Sequence, residues 1–185
     1  MPEIEDDATH TISPSPPSST ITSLIYHKLK ARLYRVMGPF LGRKKQTTQL
    51  QRLLEVHHGL TDWYAGVPGL LKCSGDSPEF DTRPILTQMQ AIALQLAYDN
   101  LRMVLFRQAV FPKDSRENHQ PHREESIRQL SESATRTAKI STFAATGLIC
   151  RSSHAAMHVG ICSFTAGVIL CTLLTHQPDD QEQTE

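Results

Sequence analysis

Hydrophobic and polar residues repeat along most of this chain at the spacing of an α-helix. The longest such segment, LTQMQAIALQLAYDNLRMVLFRQAVF at residues 86–111, lies between Pro84 and Pro112 and contains neither glycine nor proline. At about 100° per residue, its apolar side chains cover two opposite faces. Its polar positions form one narrow stripe made of Gln88, Gln95, Asp99 and Arg102. The pattern therefore predicts a central helix that other helices surround.

Four further segments carry a helical pattern. The first is ITSLIYHKLKARLYRVM, which ends at Gly38-Pro39. The next is capped by Thr47 or Thr48 and ends at Gly66 and Pro68; its apolar side comprises Leu50, Leu53, Leu54, His57, Leu60 and Trp63. A later segment has a seam of small residues, which suits close packing against a neighbour. The seam comprises Ile127, Leu130, Ala134, Thr137 or Ala138, Ser141 and Ala145. Residues 155–174 form the last apolar helix, and no segment alternates convincingly at period two, so we predict an all-α fold, a single helical bundle of about five long helices.

Composition divides the chain into one folded domain and two polar ends. A length of 185 residues suits a single domain with a core of its own. Residues 1–19 are rich in serine, proline and threonine and predict a disordered lead-in without the apolar stretch of a secretory signal. We expect a helical domain at 20–175, with a charged surface loop at 113–125, and an acidic disordered tail at 176–185.

Positive charge is concentrated near the N-terminal side of the domain, although acids and bases balance at 19 each over the whole chain. Residues 27–54 contain no acid. This stretch is interpreted either as a solvated helix face or as a patch for phosphate contact or nuclear import, centred on Arg43, Lys44 and Lys45.

The residue types that support catalysis or metal binding are not grouped in a recognisable pattern. The cysteines at 73, 150, 162 and 171 form no CxxC pair and are interpreted as reduced core thiols. His154 and His158 have the spacing of a helical zinc site, but no third ligand is evident, so a helix start or packed interface is the simpler interpretation. Asp99 near Arg102 fits either a ligand-binding pair or a structural ion pair. We predict that the protein is not an enzyme and needs no cofactor.

The apolar segment at 155–174 also allows a membrane interpretation. It carries no charge, would span about 30 Å as a helix, and precedes the acidic tail. That layout is typical of a tail anchor. Its histidine, hydroxyl residues and glycines, and the need of the central helix for apolar partners in water, favour a core helix instead.

The order of segments resembles the regulatory domain, or middle homology region, of fungal zinc-cluster transcription factors. The resemblance is carried by LLEVHHGLTDWYAGVPGLLK, QAIALQLAYDNLRMVLFRQAVF, SESATRTAKIS and HVGICSFTAGVILC. In that family a segment of the form L…W…LP..L precedes a long helix built on Leu/Ala-Tyr and Leu-Arg. The matching positions here are Leu60, Trp63, Val67, Pro68, Leu96, Ala97, Tyr98, Leu101, Arg102, Phe111 and Pro112.

The resemblance implies a nuclear, non-enzymatic module that regulates transcription by RNA polymerase II. It implies contacts with protein co-regulators or self-association, and a possible small-molecule effector. The six closely spaced cysteines of the family's zinc cluster do not occur in this chain, so zinc is expected only in a missing N-terminal cluster. We therefore expect no sequence-specific DNA binding by this chain alone, and interpret it as a fragment, a truncated gene model or a member without its reader.

Overall fold

The computed structural model describes residues 18–38, 49–73, 78–111, 120–151 and 153–175. This part of the chain is all-α, as predicted. Its helices are α1 (Ser18–Val36), α2 (Gln49–Ala65), α3 (Pro78–Asp81), α4 (Ile85–Val110), α5 (Gln120–Ile140), α6 (Ala144–Ile149) and α7 (Ser153–Thr175), and a 3-10 turn at Gly69–Leu71 follows α2. Five of these helices are long. The short α3, α6 and the 3-10 turn were not predicted.

Helix α4 is the centre of the bundle, which confirms the prediction from its pattern. It contacts α1, α2, α5, α6 and α7, and its fully buried side chains include Ile92, Met103 and Leu105. The polar stripe is buried as well, however. Gln88, Gln95, Asp99 and Arg102 are each less than a tenth exposed, because they face neighbouring helices rather than water.

A first apolar cluster joins α1, α2 and parts of α5 and α7 to α4. Leu33 and Leu60 are fully buried there. The indole Nε1 of Trp63 donates a hydrogen bond of 3.0 Å to the Leu29 carbonyl, which ties α2 to α1. Tyr98 of α4 stacks on Trp63 and Tyr64, with ring centroids 5.7 and 4.7 Å apart. Such aromatic contacts add to the stabilisation that comes from burying the area of the rings.

Helices α1 and α2 lie close together at Gly59. A Cβ atom at this position would lie 2.9 Å from Cγ1 of Val36, closer than packed carbon atoms come. Glycine is thus used inside α2, despite its cost to helix stability, because the end of α1 occupies the space of a side chain.

A second cluster joins the end of α5 to α4, α6 and α7. It includes Ile92, Leu96, Ile140 and Cys162, each at most 1 % exposed. The small-residue seam of α5 is confirmed at Leu130 and Ala134, which belong to the first cluster, and at Thr137; all three are fully buried.

The seam does not continue to Ala145 in one helix, as its spacing suggested. Helix α5 ends at Ile140, and α6 begins at Ala144. The Ser141 and Thr142 hydroxyls donate to the Ala138 and Lys139 carbonyls at 2.5 and 2.7 Å. These bonds satisfy carbonyls that a continuing helix would have used.

The described helices begin and end near the predicted limits of the domain, and one predicted loop is partly helical. The part of the predicted lead-in before residue 18 lies outside the described residues. Helix α1 begins at Ser18, two residues inside the predicted lead-in at 1–19. Helix α7 ends at Thr175, where the domain at 20–175 was predicted to end. The surface loop predicted at 113–125 is wrong in its second half, because α5 begins at Gln120. The tail at 176–185 lies outside the described residues.

Candidate functional site

One side of α7 is apolar and exposed to solvent. Met157, Ile161, Phe164 and Val168 recur at intervals of four, three and four residues, and therefore point in one direction. They are 67, 56, 74 and 48 % exposed, respectively. We call these four side chains the outer face of α7. A helix that is apolar all round is ordinarily covered on all sides, whereas α7 is covered on one side only.

The opposite side of α7 belongs to the core. Val159, Cys162, Ala166 and Ile169 are buried, and the helix packs mainly against α5. Small residues at 162 and 166 let the two helices approach closely, as the small residues of the α5 seam do. The inner side thus fixes α7 to the bundle and leaves the outer face turned away from it.

Hydroxyl groups next to the outer face are satisfied within α7 itself. Thr165 donates to the Ile161 carbonyl at 2.8 Å, and Thr172 donates to the Val168 carbonyl at 2.7 Å. Threonine that bonds its own helix in this way can be transferred to an apolar environment at little cost. The polar groups here therefore do not oppose burial of the surface by another molecule.

A groove of about 330 Å³ runs along the outer face, between α7 and the end of α4. Phe164 and Val168 form one wall, and Arg107 and Phe111 form the other. Arg107 is exposed and makes no ion pair among the described residues. The groove therefore offers an apolar floor and one cation at its rim.

By length and composition, α7 is also suited to a bilayer. Residues Ala155–Thr175 have a mean hydropathy of 1.9, and 22 % of the most apolar window is buried in the bundle. A core helix of a soluble protein would be mostly buried, so this low value sets α7 apart from α4.

A second notable group is the polar network inside the bundle. Asp99 is fully buried, and its carboxylate accepts hydrogen bonds from Nε of Arg136 at 3.0 and 3.1 Å and from Nη2 at 2.6 Å. Gln95 donates to the same carboxylate at 2.8 Å and accepts from the Tyr64 hydroxyl at 3.1 Å. A hydrogen-bonded network around the Asp99 carboxylate thereby joins four side chains from α2, α4 and α5.

The environment of Asp99 acts on its protonation in two directions. Burial raises the pKa of the carboxyl above its ordinary value, and the hydrogen bonds and charge of Arg136 oppose that rise. The arginine is therefore what allows an ionised carboxylate in the core.

The partner that the sequence suggested for Asp99 is not the one that binds it. Arg102 instead lies over the Tyr98 ring, 5.4 Å from its centroid, and its Nη2 is 3.8 Å from an oxygen of Glu132. Asp99 does form an ion pair, which was one of the two interpretations left open. Its partner is Arg136, so the pair joins α4 to α5. Arg136 was missed because nothing in its local pattern marks it; it lies between small residues of the seam, 37 positions after Asp99.

The remaining candidate residues form no reactive centre in the described part of the chain. No group of three or more metal-binding side chains occurs there. The ring of His158 lies 3.9 Å from the Cys162 sulfur. Burial raises the pKa of Cys73 to about 12 and that of Cys162 to about 11, so both thiols are protonated at neutral pH. Cys150 and Cys171 are exposed, which corrects the interpretation of all four as core thiols.

The predicted patch at Arg43, Lys44 and Lys45 lies outside the described residues. Three of the four cations of α1, Lys28, Arg32 and Arg35, are exposed, and the fourth, Lys30, is half-buried beside Tyr26. They fit the interpretation of a solvated helix face.

Comparison with known proteins gives no match to a family model, a curated protein or a solved structure.

Proposed function

We propose that this chain is a non-enzymatic helical interaction domain, and that it regulates transcription by RNA polymerase II in the nucleus through contact with a partner protein. The observation that carries the proposal is the outer face of α7, because its four apolar side chains are left uncovered by the described helices. The resemblance to fungal zinc-cluster regulatory domains supports the assignment to transcription.

The groove beside the outer face indicates what kind of partner fits. An amphipathic helix placed there would bury its apolar side chains against Phe164 and Val168, in the manner of helix-in-groove recognition. Arg107 at the rim would meet an acidic residue on that helix. An acidic, apolar helix of a co-regulator is therefore the partner that we propose.

A tethered reporter tests this proposal. The whole chain is fused to an unrelated DNA-binding domain, and transcription of a reporter with the matching sites is measured. Phe164→Asp places a charge at the centre of the outer face, and should return the reporter to the level of the DNA-binding domain alone. Leu24→Asp is the matched control, since Leu24 is an exposed apolar residue of α1, 57 % exposed. Both positions are open to solvent, so both variants should keep the wild-type urea midpoint.

Two results would contradict the proposal. One is a wild-type fusion that changes reporter output no more than the DNA-binding domain does. The other is an equal loss of output in the Phe164→Asp and Leu24→Asp variants, because the effect would then not belong to the outer face.

A tail-anchored membrane protein with a span at 155–174 is the second candidate, favoured by the apolar length of α7 and its low burial. Insertion would require α7 to leave α5, which would expose the fully buried Leu130 and Ala134 to water. That cost favours the docking proposal. Flotation with phosphatidylcholine vesicles separates the two: a chain that stays with the vesicles after carbonate washing is a membrane protein, and one that stays in the lower fractions is not.

A further inference from the structure

A cavity of about 410 Å³ opens beside α5, and shares no residue with α7. Its volume lies within the range of about 300–1,000 Å³ that is typical of sites for small molecules. The lining combines cations and hydroxyls from one side of α5 with an apolar wall. These residues are Ser131, Thr135, Arg136 and Lys139, with Glu132 at the edge, and Cys73, Ile140 and Phe143 as the wall.

The guanidinium of Arg136 is held in a fixed orientation at this cavity. Its Nε and Nη2 atoms donate to the buried Asp99, and its side chain is 35 % exposed. Nη1 makes no hydrogen bond in the part of the chain that the structure describes. An arginine anchored on one edge in this way presents its other N–H groups without further loss of side-chain entropy.

A second cation lies almost one helical turn further along. Lys139 lines the same cavity and makes no ion pair within the described residues. Ser131 and Thr135 precede it by eight and four positions, so the two hydroxyls and the ammonium share one side of α5.

The acid at the edge of the cavity is already neutralised. Glu132 forms an ion pair with Arg128 and lies 3.8 Å from Arg102. With Asp99 balanced by Arg136, the charge of Lys139 remains without a counterpart. One excess positive charge suits a monoanion, because a second negative charge on the ligand would have no cation left to balance it.

The opposite wall of the cavity is apolar. Phe143 and Ile140 contribute hydrocarbon, and Cys73 is buried as a neutral thiol. We infer that the cavity binds a small monocarboxylic acid with an apolar body, whose carboxylate contacts Arg136 and Lys139 and whose body lies against Phe143. This inference does not rest on the proposed docking of α7.

Titration of the full chain with sodium benzoate, followed by amide chemical shifts, tests the inference. Benzoate should shift the signals of residues 131–143, and benzamide, which has the same shape without the charge, should not. Lys139→Gln should weaken benzoate binding at least threefold. Lys28→Gln, the same change at an exposed lysine of α1, should leave it unchanged. Thr135→Trp fills the mouth of the cavity at an exposed position and should abolish binding.

Each alternative result would overturn the inference. Equal binding of benzamide would mean that the charge has no part in recognition. Inorganic phosphate that binds as tightly as benzoate would mean a general anion site. Equal weakening in Lys28→Gln and Lys139→Gln would mean that binding follows total charge, and shifts that remain in Thr135→Trp would place the ligand elsewhere. A chain that binds no benzoate at about ten millimolar lacks the site, whatever the reporter shows.

Discussion

Asp99 and Arg136 form an ion pair in which the two partners differ in their access to water. Asp99 is fully buried, whereas the Arg136 side chain is 35 % exposed. A buried carboxylate that loses its partner must remain ionised in an apolar surrounding or take up a proton. An arginine that loses its partner can still be hydrated at its exposed edge. Loss of the arginine should therefore cost more stability than loss of the acid.

This asymmetry gives a first prediction. Arg136→Met keeps the aliphatic stem but removes the charge, and should lower the free energy of unfolding by about 3–5 kcal/mol at pH 8. Asp99→Asn keeps the shape and one acceptor for Arg136, and should cost clearly less. Urea denaturation followed by circular dichroism measures both. A larger loss for Asp99→Asn would mean that the acid, and not the arginine, is the group that water can reach.

The Arg136→Met variant should also depend on pH in a defined direction. An aspartate in an unfolded chain titrates near pH 3.9, and burial raises the pKa of Asp99 above that value in the folded state. Between these two values the folded state holds a proton that the unfolded state has lost, so stability falls as the pH rises through this window. The variant should accordingly regain part of its lost stability between pH 8 and pH 5, relative to the wild type.

Sequence reasoning identified Asp99 as a residue of interest but not its partner Arg136. Asp99 is conspicuous because it is the one acid in an apolar helix, and that alone marks it as a residue that needs a partner. Spacing along one helix can propose only a neighbour such as Arg102. Arg136 lies on another helix, and its selection depends on how α5 is rotated against α4, which no local pattern encodes.

Among the elements, the contact of α1 with α2 depends on a glycine that helix propensity disfavours. Replacing Gly59 by alanine should add about 1 kcal/mol of helix stability if the new Cβ has room. It has none, because Cγ1 of Val36 is 2.9 Å away. The gain in helix stability and the steric clash with Val36 therefore oppose each other. Measuring the two effects separately tests the geometry of this contact.

A double-mutant cycle separates the two effects. Gly59→Ala in the wild-type background should give no gain in the free energy of unfolding. The same change in a Val36→Ala background should stabilise the protein by about 0.5–1 kcal/mol relative to Val36→Ala alone. A gain of equal size in both backgrounds would show that a Cβ atom at position 59 lies further from Cγ1 of Val36 than the 2.9 Å found here.

The elements themselves were predictable in proportion to their length and periodicity. Helix α4 was recognised because two apolar faces in a segment bounded by prolines leave no other arrangement. The break between α5 and α6 was not, because Ser141 and Thr142 are compatible with a helix until their hydroxyls bond the preceding carbonyls. The exposure of α7 could not be predicted either, because a helix that is buried on all sides and a helix with one exposed apolar side have similar sequences.

For the whole molecule, the arrangement of the core predicts how it unfolds. The first apolar cluster holds α1, α2 and parts of α5 and α7 against α4, and the second holds α6, the end of α5 and part of α7 against the same helix. Because α4, α5 and α7 run through both, neither cluster can lose its structure without exposing apolar side chains of the other. One cooperative transition is expected, as for most single domains of this size.

Ile149→Ala tests this cooperativity, because the change and the probe lie in different clusters. Ile149 belongs to α6 and is 6 % exposed, so its truncation should cost about 2–5 kcal/mol. Trp63, the only tryptophan of the chain, lies in the first cluster and reports there by fluorescence. Its urea transition should move to lower concentration by the same amount as the transition seen by circular dichroism. A fluorescence midpoint that stays at the wild-type value would mean that the two clusters unfold independently, and that the shared helices α4, α5 and α7 do not couple them.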